Sequence, residues 1–314
     1  MGETERTLMS SSNATKLLKI IRVHIVAGGV LAFSLGALLA LASGGSFNLA
    51  LVVLAYSVML FGDLSSHYSN DYFDVEVDRH IKKKRIFAGS AILVNYPNLR
   101  PLSKAISIGL LVCANVLAVL IFLFLGAPIE IFIVILGASL VGWFYSAPPL
   151  RLSSRGFGEF AVACVTGFAI PGLGYLAVRG QFDPLFVYLV VPFVMYGFML
   201  SLSLEAPDAE IDQKGGKRNF VVRKGERTVF LFILALTTSA TLTFLTYKWL
   251  ITSAVFDIGV LALFSIVPLT AAVFGFTGIL RKQSVNRFSA LNIASLFVFN
   301  MLTVAYLLAI MFQS

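Results

Sequence analysis

The stretch LSKAISIGLLVCANVLAVLIFLFL, residues 102–125, decides the fold of this chain. It contains a single charged side chain, Lys104, near its beginning. A bilayer core about 30 Å thick is crossed by roughly 20 consecutive apolar residues in a helix. The stretch therefore predicts a membrane-spanning helix.

Runs of the same kind recur along the sequence on both sides of this stretch. The chain is 58% hydrophobic and 13% charged, and its mean hydropathy of +0.89 excludes an ordinary soluble domain. Apolar runs bounded by charge, proline or glycine predict an all-α, polytopic membrane bundle of about nine transmembrane helices. The predicted spans are 17–42, 46–69, 102–125, 129–144, 158–178, 185–206, 227–247, 255–280 and 287–312. Pro171-Gly172 predicts a kink in the fifth span.

The domain organisation follows from the same pattern. Residues 1–14 are polar and predict an N-terminal tail. Residues 15–314 predict one transmembrane domain, built from two pseudo-repeated halves at about 15–144 and 145–314.

The basic residues predict the orientation of these helices. With nine spans, all but Arg179 and Lys248 of the 24 Lys and Arg residues fall on one face. Because Lys and Arg accumulate in cytoplasmic loops, this face is expected to be cytoplasmic, together with the N-terminus. The net charge of +8 thus reflects topology and gives no reason to expect a nucleic-acid partner.

Two acidic segments stand out at helix ends on that face. Residues 70–78 read NDYFDVEVD and residues 205–212 read EAPDAEID. Both contain three acids with the spacing acid-x-x-acid-x-x-x-acid, namely Asp71, Asp74 and Asp78, and Glu205, Asp208 and Asp212. Residues three and four apart share a helix face. Each segment therefore predicts a column of carboxylates, and two such columns predict a site shared by the two halves.

The chemistry of these columns favours a metal–phosphate site. Carboxylates at this spacing repel one another unless a cation neutralises them, and oxygen ligands without His or Cys select Mg²⁺. Basic residues that follow each segment would suit phosphate oxygens. The alternative is a pair of solvated helix ends whose basic residues serve only topology.

Both segments resemble motifs of the UbiA superfamily of intramembrane prenyltransferases. The first family motif, N-D-x-x-D-x-x-x-D, is present from Asn70 to Asp78, and the second, D-x-x-x-D, from Asp208 to Asp212. The resemblance implies a helical bundle around a lipid-open central cavity, in which Mg²⁺ holds an isoprenyl diphosphate. The sequence departs from the family pattern after Asp78, where the prolines of the usual N-K-P-x-R-P segment are missing.

This resemblance implies roles for individual residues. The metal-binding set is Asn70, Asp71, Asp74, Asp78, Glu205, Asp208 and Asp212, and the diphosphate-binding set is Arg22, Lys82, Arg85, Lys214, Lys217 and Arg218. Arg22 would serve equally well as an interfacial anchor. The implied reaction ionises the allylic C–O bond, and the acceptor then attacks the prenyl cation.

A third segment, residues 145–159, links the fourth and fifth predicted spans. Pro148-Pro149 breaks any helix there, and polar backbone near a membrane is tolerated where it lines a cavity. Tyr145 and Ser146 match a Tyr-Ser position of the family's central cavity, so both are candidates for the acceptor site. Their alternative roles are an interfacial tyrosine and a turn serine. Asp63, by contrast, suggests no role.

The acceptor divides the functional hypotheses. Residues 145–159 and 208–225 are similar to the branch that prenylates dihydroxynaphthoate, whereas residues 70–78 are more similar to branches acting on hydroxybenzoate or on geranylgeranylglyceryl phosphate. An aromatic quinone precursor is favoured, with archaeal ether-lipid synthesis as the alternative. A secondary transporter is the third hypothesis, since repeated halves and intramembrane acids also occur in transporters.

Overall fold

The computed structural model describes residues 12–81, 89–251 and 256–312. Within these residues the protein is helical and contains no strand, which confirms the predicted all-α class. In these described ranges nine helices are long and apolar enough to cross a membrane, and the protein is a multi-pass membrane protein. They are α1 Val23–Ala42, α2 Leu49–Phe73, α3 Arg100–Leu125, α4 Ile129–Ser146, α5 Gly158–Arg179, α6 Pro184–Glu205, α7 Phe220–Leu250, α8 Ile258–Leu280 and α9 Val285–Met311.

The first predicted span is divided in the structure. A short helix, Asn13–Leu18, precedes α1, and Arg22 leaves the helical region with φ −90° and ψ 82°. The chain therefore turns immediately before it enters the bundle. This turn brings the Arg22 side chain to the end of α2, which continues four residues beyond its predicted limit at residue 69, to Phe73.

Helix α5 lies at the centre of the bundle. In its most apolar segment 72% of residues are buried, compared with at most 50% in any other span of the described chain. It packs against α1, α2, α4 and α6. Its middle forms a π-helical turn at Val165–Ala169, just before Pro171, so the irregularity that proline predicts here is found one turn earlier.

Two hydrophobic cores meet at α1 and α5. One core combines these helices with α2, α3 and α4, and the other combines them with α6, α7, α8 and α9. The contact between α1 and α5 is made by backbone. A Cβ atom on Gly36 would overlap the Pro171 carbonyl, and one on Gly174 would overlap the Phe33 carbonyl. Small residues of this kind allow membrane helices to approach closely.

A third, smaller hydrophobic cluster closes the bundle at the end where α2 finishes. It combines Leu17 and Ile20 from the N-terminal segment with Tyr68 of α2 and with Ile92 and Leu93 of the short helix Ile92–Asn95. These contacts hold the segment before α1 against the segment after α2. They position the side chains described next.

Candidate active site

A polar pocket lies at the end of the bundle where α2 and α6 finish. It is lined by both acidic motifs, the first ending at Asp78 and the second beginning at Asp208, and by two cationic side chains from other segments. The residues lining it are Arg22, Asn70, Asp71, Asp74, Val77, Asp78, Ile81, Gly89, Tyr145, Asp208, Ile211, Asp212 and Lys217. The two motifs therefore do face one shared site, as the repeated spacing predicts.

The first motif enters the pocket from the last turn of α2. Asp71 is almost fully buried, and the Arg22 guanidinium donates to its Oδ1 at 3.0 Å. Ser90 donates to the other oxygen of the same carboxylate. Asp74 ends α2, and the short helix Val75–Asp78 continues the motif. Three different segments of chain thus meet at Asp71.

Lys217 joins the two motifs. Its Nζ lies 2.9 Å from Asp74 Oδ2 and 3.5 Å from Asp212 Oδ1, and only 13% of the side chain is exposed. Burial alone would lower the pKa of Lys217, but Asp74 and Asp212 raise it above its ordinary value. The ammonium group is therefore a permanent positive charge between the motifs.

The second motif is held by the segment that follows it. Asn219 donates from Nδ2 to Asp212 Oδ2 at 2.7 Å, and its Oδ1 accepts from the Val222 amide at 3.0 Å, which caps α7. The Lys217 amide donates to the Asp212 carbonyl. One asparagine thus fixes both the start of a membrane helix and the orientation of a site carboxylate.

Asp78 shows that the pocket carries an excess of negative charge. Its pKa is raised to about 7, first by burial and then by the neighbouring carboxylates Asp71 and Asp74. Gly89 packs directly against it, since a Cβ atom at that position would overlap the Asp78 carboxylate. The described lining residues include five carboxyl groups and two cationic side chains. An added cation would relieve this imbalance.

Tyr145 and Ser146, at the end of α4, take different positions. Ser146 donates to Asn70 Oδ1 at 2.9 Å and so positions a residue of the first motif. Tyr145 lines the polar pocket and also the apolar cavity beside it. It therefore stands where the polar and apolar parts of the site meet.

One apolar cavity extends from Tyr145 into the bundle, and a second lies beside the first. The first, of about 180 Å³, lies among α2, α4 and α5, and the second, of about 120 Å³, lies among α1, α5, α6 and α9. Asp63, Thr166 and Ile170 line both cavities. The residues shared by the two linings form the wall between them.

Glu205 is not with the other predicted metal ligands. It does not line the polar pocket, and it lies beside the buried carboxyl of Glu159, with Oε1 3.5 Å from Ser201 Oγ. The cause is local, because α6 ends at Glu205 and the chain continues through a 3₁₀ turn, Ala206–Asp208. The three acids of the second segment therefore do not share one helix face, contrary to the expectation from their spacing.

The predicted diphosphate-binding residues are also divided. Arg22 and Lys217 line the pocket. Lys214 is exposed and pairs with Glu210, and Arg218 is exposed with its amide bonded to the Ser154 carbonyl. Neither lines the pocket. Lys82 and Arg85 lie outside the described residues.

Two residues that position site carboxylates, Asn219 and Ser90, were not predicted from the sequence. Asn219 carries a signal, because an asparagine before a long apolar run is a typical helix N-cap. Ser90 carries none, since a serine in a connecting segment points to no particular partner. Its contact with Asp71 depends on the tertiary fold.

The donor set of the pocket fits a hard divalent cation. Asn70, Asp71, Asp74, Asp78, Asp208 and Asp212 all offer oxygen, the element that Mg²⁺ prefers. Within the described parts of the chain no group of three His, Cys, Asp or Glu side chains is arranged to hold a metal ion by itself. Proteins usually bind Mg²⁺ through one or two carboxylates together with water and substrate phosphates.

The chain is similar to a known protein family in sequence and to several solved structures in fold. The sequence profile of the UbiA prenyltransferase family matches residues 30–301. A UbiA homolog from Archaeoglobus fulgidus, solved bound to DMAPP and Mg²⁺, is similar over 93% of this chain and 98% of its own, with a TM-score of 0.69 and 18% identity. An apo UbiA homolog from Aeropyrum pernix K1 is similar over 88% and 97%, with a TM-score of 0.66 and 13% identity. A structure described for digeranylgeranylglyceryl phosphate synthase is similar over 93% and 99%, with a TM-score of 0.64 and 17% identity. No curated protein sequence matches.

Proposed function

Since the chain belongs to the UbiA prenyltransferase family and is an intramembrane prenyl-transferring enzyme, we propose that it transfers an isoprenyl group to an aromatic quinone precursor and releases diphosphate. The observation that carries the proposal is the position of Tyr145, which lines both the acidic pocket and an apolar cavity. A prenyl diphosphate has the same two parts, an anionic head and an apolar chain.

The polar pocket is proposed to hold the diphosphate. Arg22 and Lys217 supply positive charge in the pocket, Arg22 beside the first motif and Lys217 between the two motifs. Mg²⁺ would be held by Asn70, Asp71, Asp74, Asp78, Asp208 and Asp212. It would supply charge that stabilises the departing diphosphate. The Archaeoglobus fulgidus homolog, solved with DMAPP and Mg²⁺, supports this assignment.

The first apolar cavity is proposed to hold the isoprenyl chain. Its lining is dominated by apolar side chains of α2, α4 and α5, so burial of the chain there is favourable and water is excluded. Exclusion of water matters because water would quench the allylic cation. Tyr145, at the mouth of this cavity, would lie beside the bond that breaks.

The acceptor is proposed to be aromatic because residues 145–159 and 208–225 resemble the dihydroxynaphthoate-prenylating branch. One structural observation favours the second candidate, geranylgeranylglyceryl phosphate. The second apolar cavity is lined separately from the first and would take part of another apolar chain. With either candidate, the acceptor would lie against the wall that separates the two cavities.

The pocket is proposed to open to the cytoplasm. It lies at the end of the bundle where the segment before α1 packs against α2, and the basic loops predicted to be cytoplasmic are on the same side. The donor would then enter the site from the cytoplasmic leaflet of the cell membrane.

The proposal is tested with purified protein. Radiolabelled geranyl diphosphate and Mg²⁺ are incubated with dihydroxynaphthoate, hydroxybenzoate or geranylgeranylglyceryl phosphate, and lipid products are separated. Labelled product with an aromatic acceptor is expected, and Asp74→Ala serves as the inactive control. Product with geranylgeranylglyceryl phosphate alone would transfer the assignment to the second candidate. Solute flux without any product would support a transporter.

A further inference from the structure

A buried carboxyl group lies in the wall between the two apolar cavities. Asp63 is on α2, eight residues before Asp71, which places it roughly 12 Å deeper along the helix axis. It lines both cavities, and 14% of its side chain is exposed. It does not line the acidic pocket, so it is separate from the diphosphate site.

The neighbours of Asp63 leave one of its oxygens available. The Arg22 amide donates to His67 Nδ1 at 3.4 Å, which leaves the proton of a neutral imidazole on Nε2. That nitrogen faces Asp63 Oδ1 at 3.6 Å, longer than a hydrogen bond. Asp63 Oδ2 is buried and accepts no hydrogen bond from any described residue.

A buried carboxylate oxygen such as Asp63 Oδ2 raises the free energy of the folded protein when it accepts no hydrogen bond. A buried polar group without a hydrogen-bond partner destabilises the folded protein, and ionisable groups at membrane depth are retained mainly where they function. The surrounding walls are apolar, since Ile170 and residues such as Val58 and Leu200 line the same cavities. A molecule that fills the junction would find Asp63 Oδ2 as a strong hydrogen-bond acceptor there.

We propose that Asp63 binds the prenyl acceptor by accepting a hydrogen bond from its hydroxyl group. The inference rests on the proposed prenyl transfer and adds the means by which the two substrates are distinguished. An isoprenyl chain has no hydrogen-bond donor, whereas both a hydroxylated aromatic ring and a glycerol backbone carry a hydroxyl group. The donor chain therefore gains nothing from Asp63, and the acceptor is held at the wall between the cavities.

Trp143 makes this binding measurable without turnover. It lines the first cavity together with Asp63, and the chain has two tryptophans, of which Trp249 is 83% exposed. A Trp249→Phe background leaves Trp143 as the only tryptophan. Quenching of its fluorescence reports occupancy of the cavity with no donor present.

The probes are 1,4-dihydroxy-2-naphthoate, kept anaerobic, and its dimethyl ether, which cannot donate a hydrogen bond. The dihydroxy probe is expected to bind Asp63→Leu about 10- to 100-fold more weakly than the parent protein, the range for one hydrogen bond to a charged group. Asp63→Asn keeps the shape and one accepting oxygen, so a smaller loss is expected. The dimethyl ether is expected to bind all three proteins equally.

Ser57→Ala is the matched control. Ser57 lies on α2, like Asp63, but lines neither cavity, and its hydroxyl already donates to the Val53 carbonyl at 2.8 Å. Its loss should leave the affinity for the dihydroxy probe within about twofold, since no new hydrogen bond depends on it. Melting temperatures measured in detergent show whether each variant is folded. If Asp63→Leu is not folded, the comparison is made with Asp63→Asn alone.

Three results would overturn the inference. They are equal affinity of the parent and both Asp63 variants for the dihydroxy probe, equal weakening of both probes, and absence of saturable quenching in the parent protein. Failure of the proposed function is read separately, as absence of prenylated product. A protein that binds the dihydroxy probe through Asp63 without prenylating it would contradict only the function.

Discussion

The ammonium group of Lys217 lies 2.9 Å from the Asp74 carboxylate, although the two residues are 143 positions apart in the chain. This ion pair connects the motif at the end of α2 with the motif after α6. Because one motif ends α2 and the other follows α6, the pocket exists only when these parts of the bundle are packed together. The ion pair between Lys217 and Asp74 therefore depends on the correct packing of the bundle.

The first prediction concerns Lys217. Replacing it by Ala removes a positive charge between two carboxylates, so the diphosphate should meet a more repulsive pocket. The KM for geranyl diphosphate is expected to rise about 10-fold or more, the range for a charge-assisted hydrogen bond. Lys224→Ala, an exposed lysine on α7, is the control and should change KM by less than about twofold. Equal effects of the two substitutions would contradict the placement of Lys217.

The second prediction concerns the carboxylates of the two motifs. Asp74→Ala and Asp208→Ala should each lower kcat by about 100-fold or more, since each removes a group that supports charge developing on the leaving diphosphate. Both variants should remain folded, because the substitutions lie at the pocket and spare both hydrophobic cores. Steady-state turnover and gel filtration in detergent measure the two effects. Normal turnover in both variants would refute a metal-binding role.

The third prediction concerns the metal. The pocket offers oxygen donors and an excess of carboxyl groups over cations, so EDTA in excess should abolish turnover and added Mg²⁺ should restore it. Geranyl diphosphate binding, followed with labelled ligand, should weaken in parallel. Turnover that persists in EDTA would show that Arg22 and Lys217 are sufficient to bind the diphosphate without a metal ion.

The fourth prediction concerns Tyr145. Tyr145→Phe retains the ring that lines the apolar cavity and removes the hydroxyl at the boundary with the polar pocket. Turnover should fall about 10-fold, as expected for one lost polar interaction, while the affinity for geranyl diphosphate is retained. Weakened donor binding would instead assign Tyr145 to the diphosphate.

The fifth prediction concerns the contact between α1 and α5. Gly36→Ala places a methyl group against the Pro171 carbonyl, and overpacking of this kind should lower the melting temperature by about 5 °C. Gly137→Ala, in α4, meets no atom within 4 Å of the new methyl group and is the control. Similar melting temperatures for the two variants would show that α1 and α5 separate easily.

Much of this arrangement could be predicted from sequence because its signals are local. Apolar length predicts the spans, and helical spacing groups the acids of the first motif. Glu205 shows the limit of that reasoning. Its spacing matches that of Asp71, but the helix ends at Glu205 and a 3₁₀ turn follows, so the side chain is directed toward Glu159. Spacing predicts a shared face only while the helix continues.

The cations show a second limit. Lys214 and Lys217 are three residues apart and equally plausible from sequence, yet Lys217 is buried between carboxylates and Lys214 is exposed. A helix end lies between them, at Gly215, and it sends the two side chains in different directions. Asp63 likewise gave no sequence signal, because its significance depends on two cavities that only the packed bundle creates.

The mass of the lipid product made by the purified protein tests the central claim most directly. With Mg²⁺, geranyl diphosphate and dihydroxynaphthoate, the account predicts a product whose mass is that of the acceptor plus a geranyl group, minus the displaced group or proton, with one diphosphate released per product. Intact geranyl diphosphate and unmodified acceptors, recovered from folded protein with Mg²⁺ across the whole acceptor panel, would contradict it.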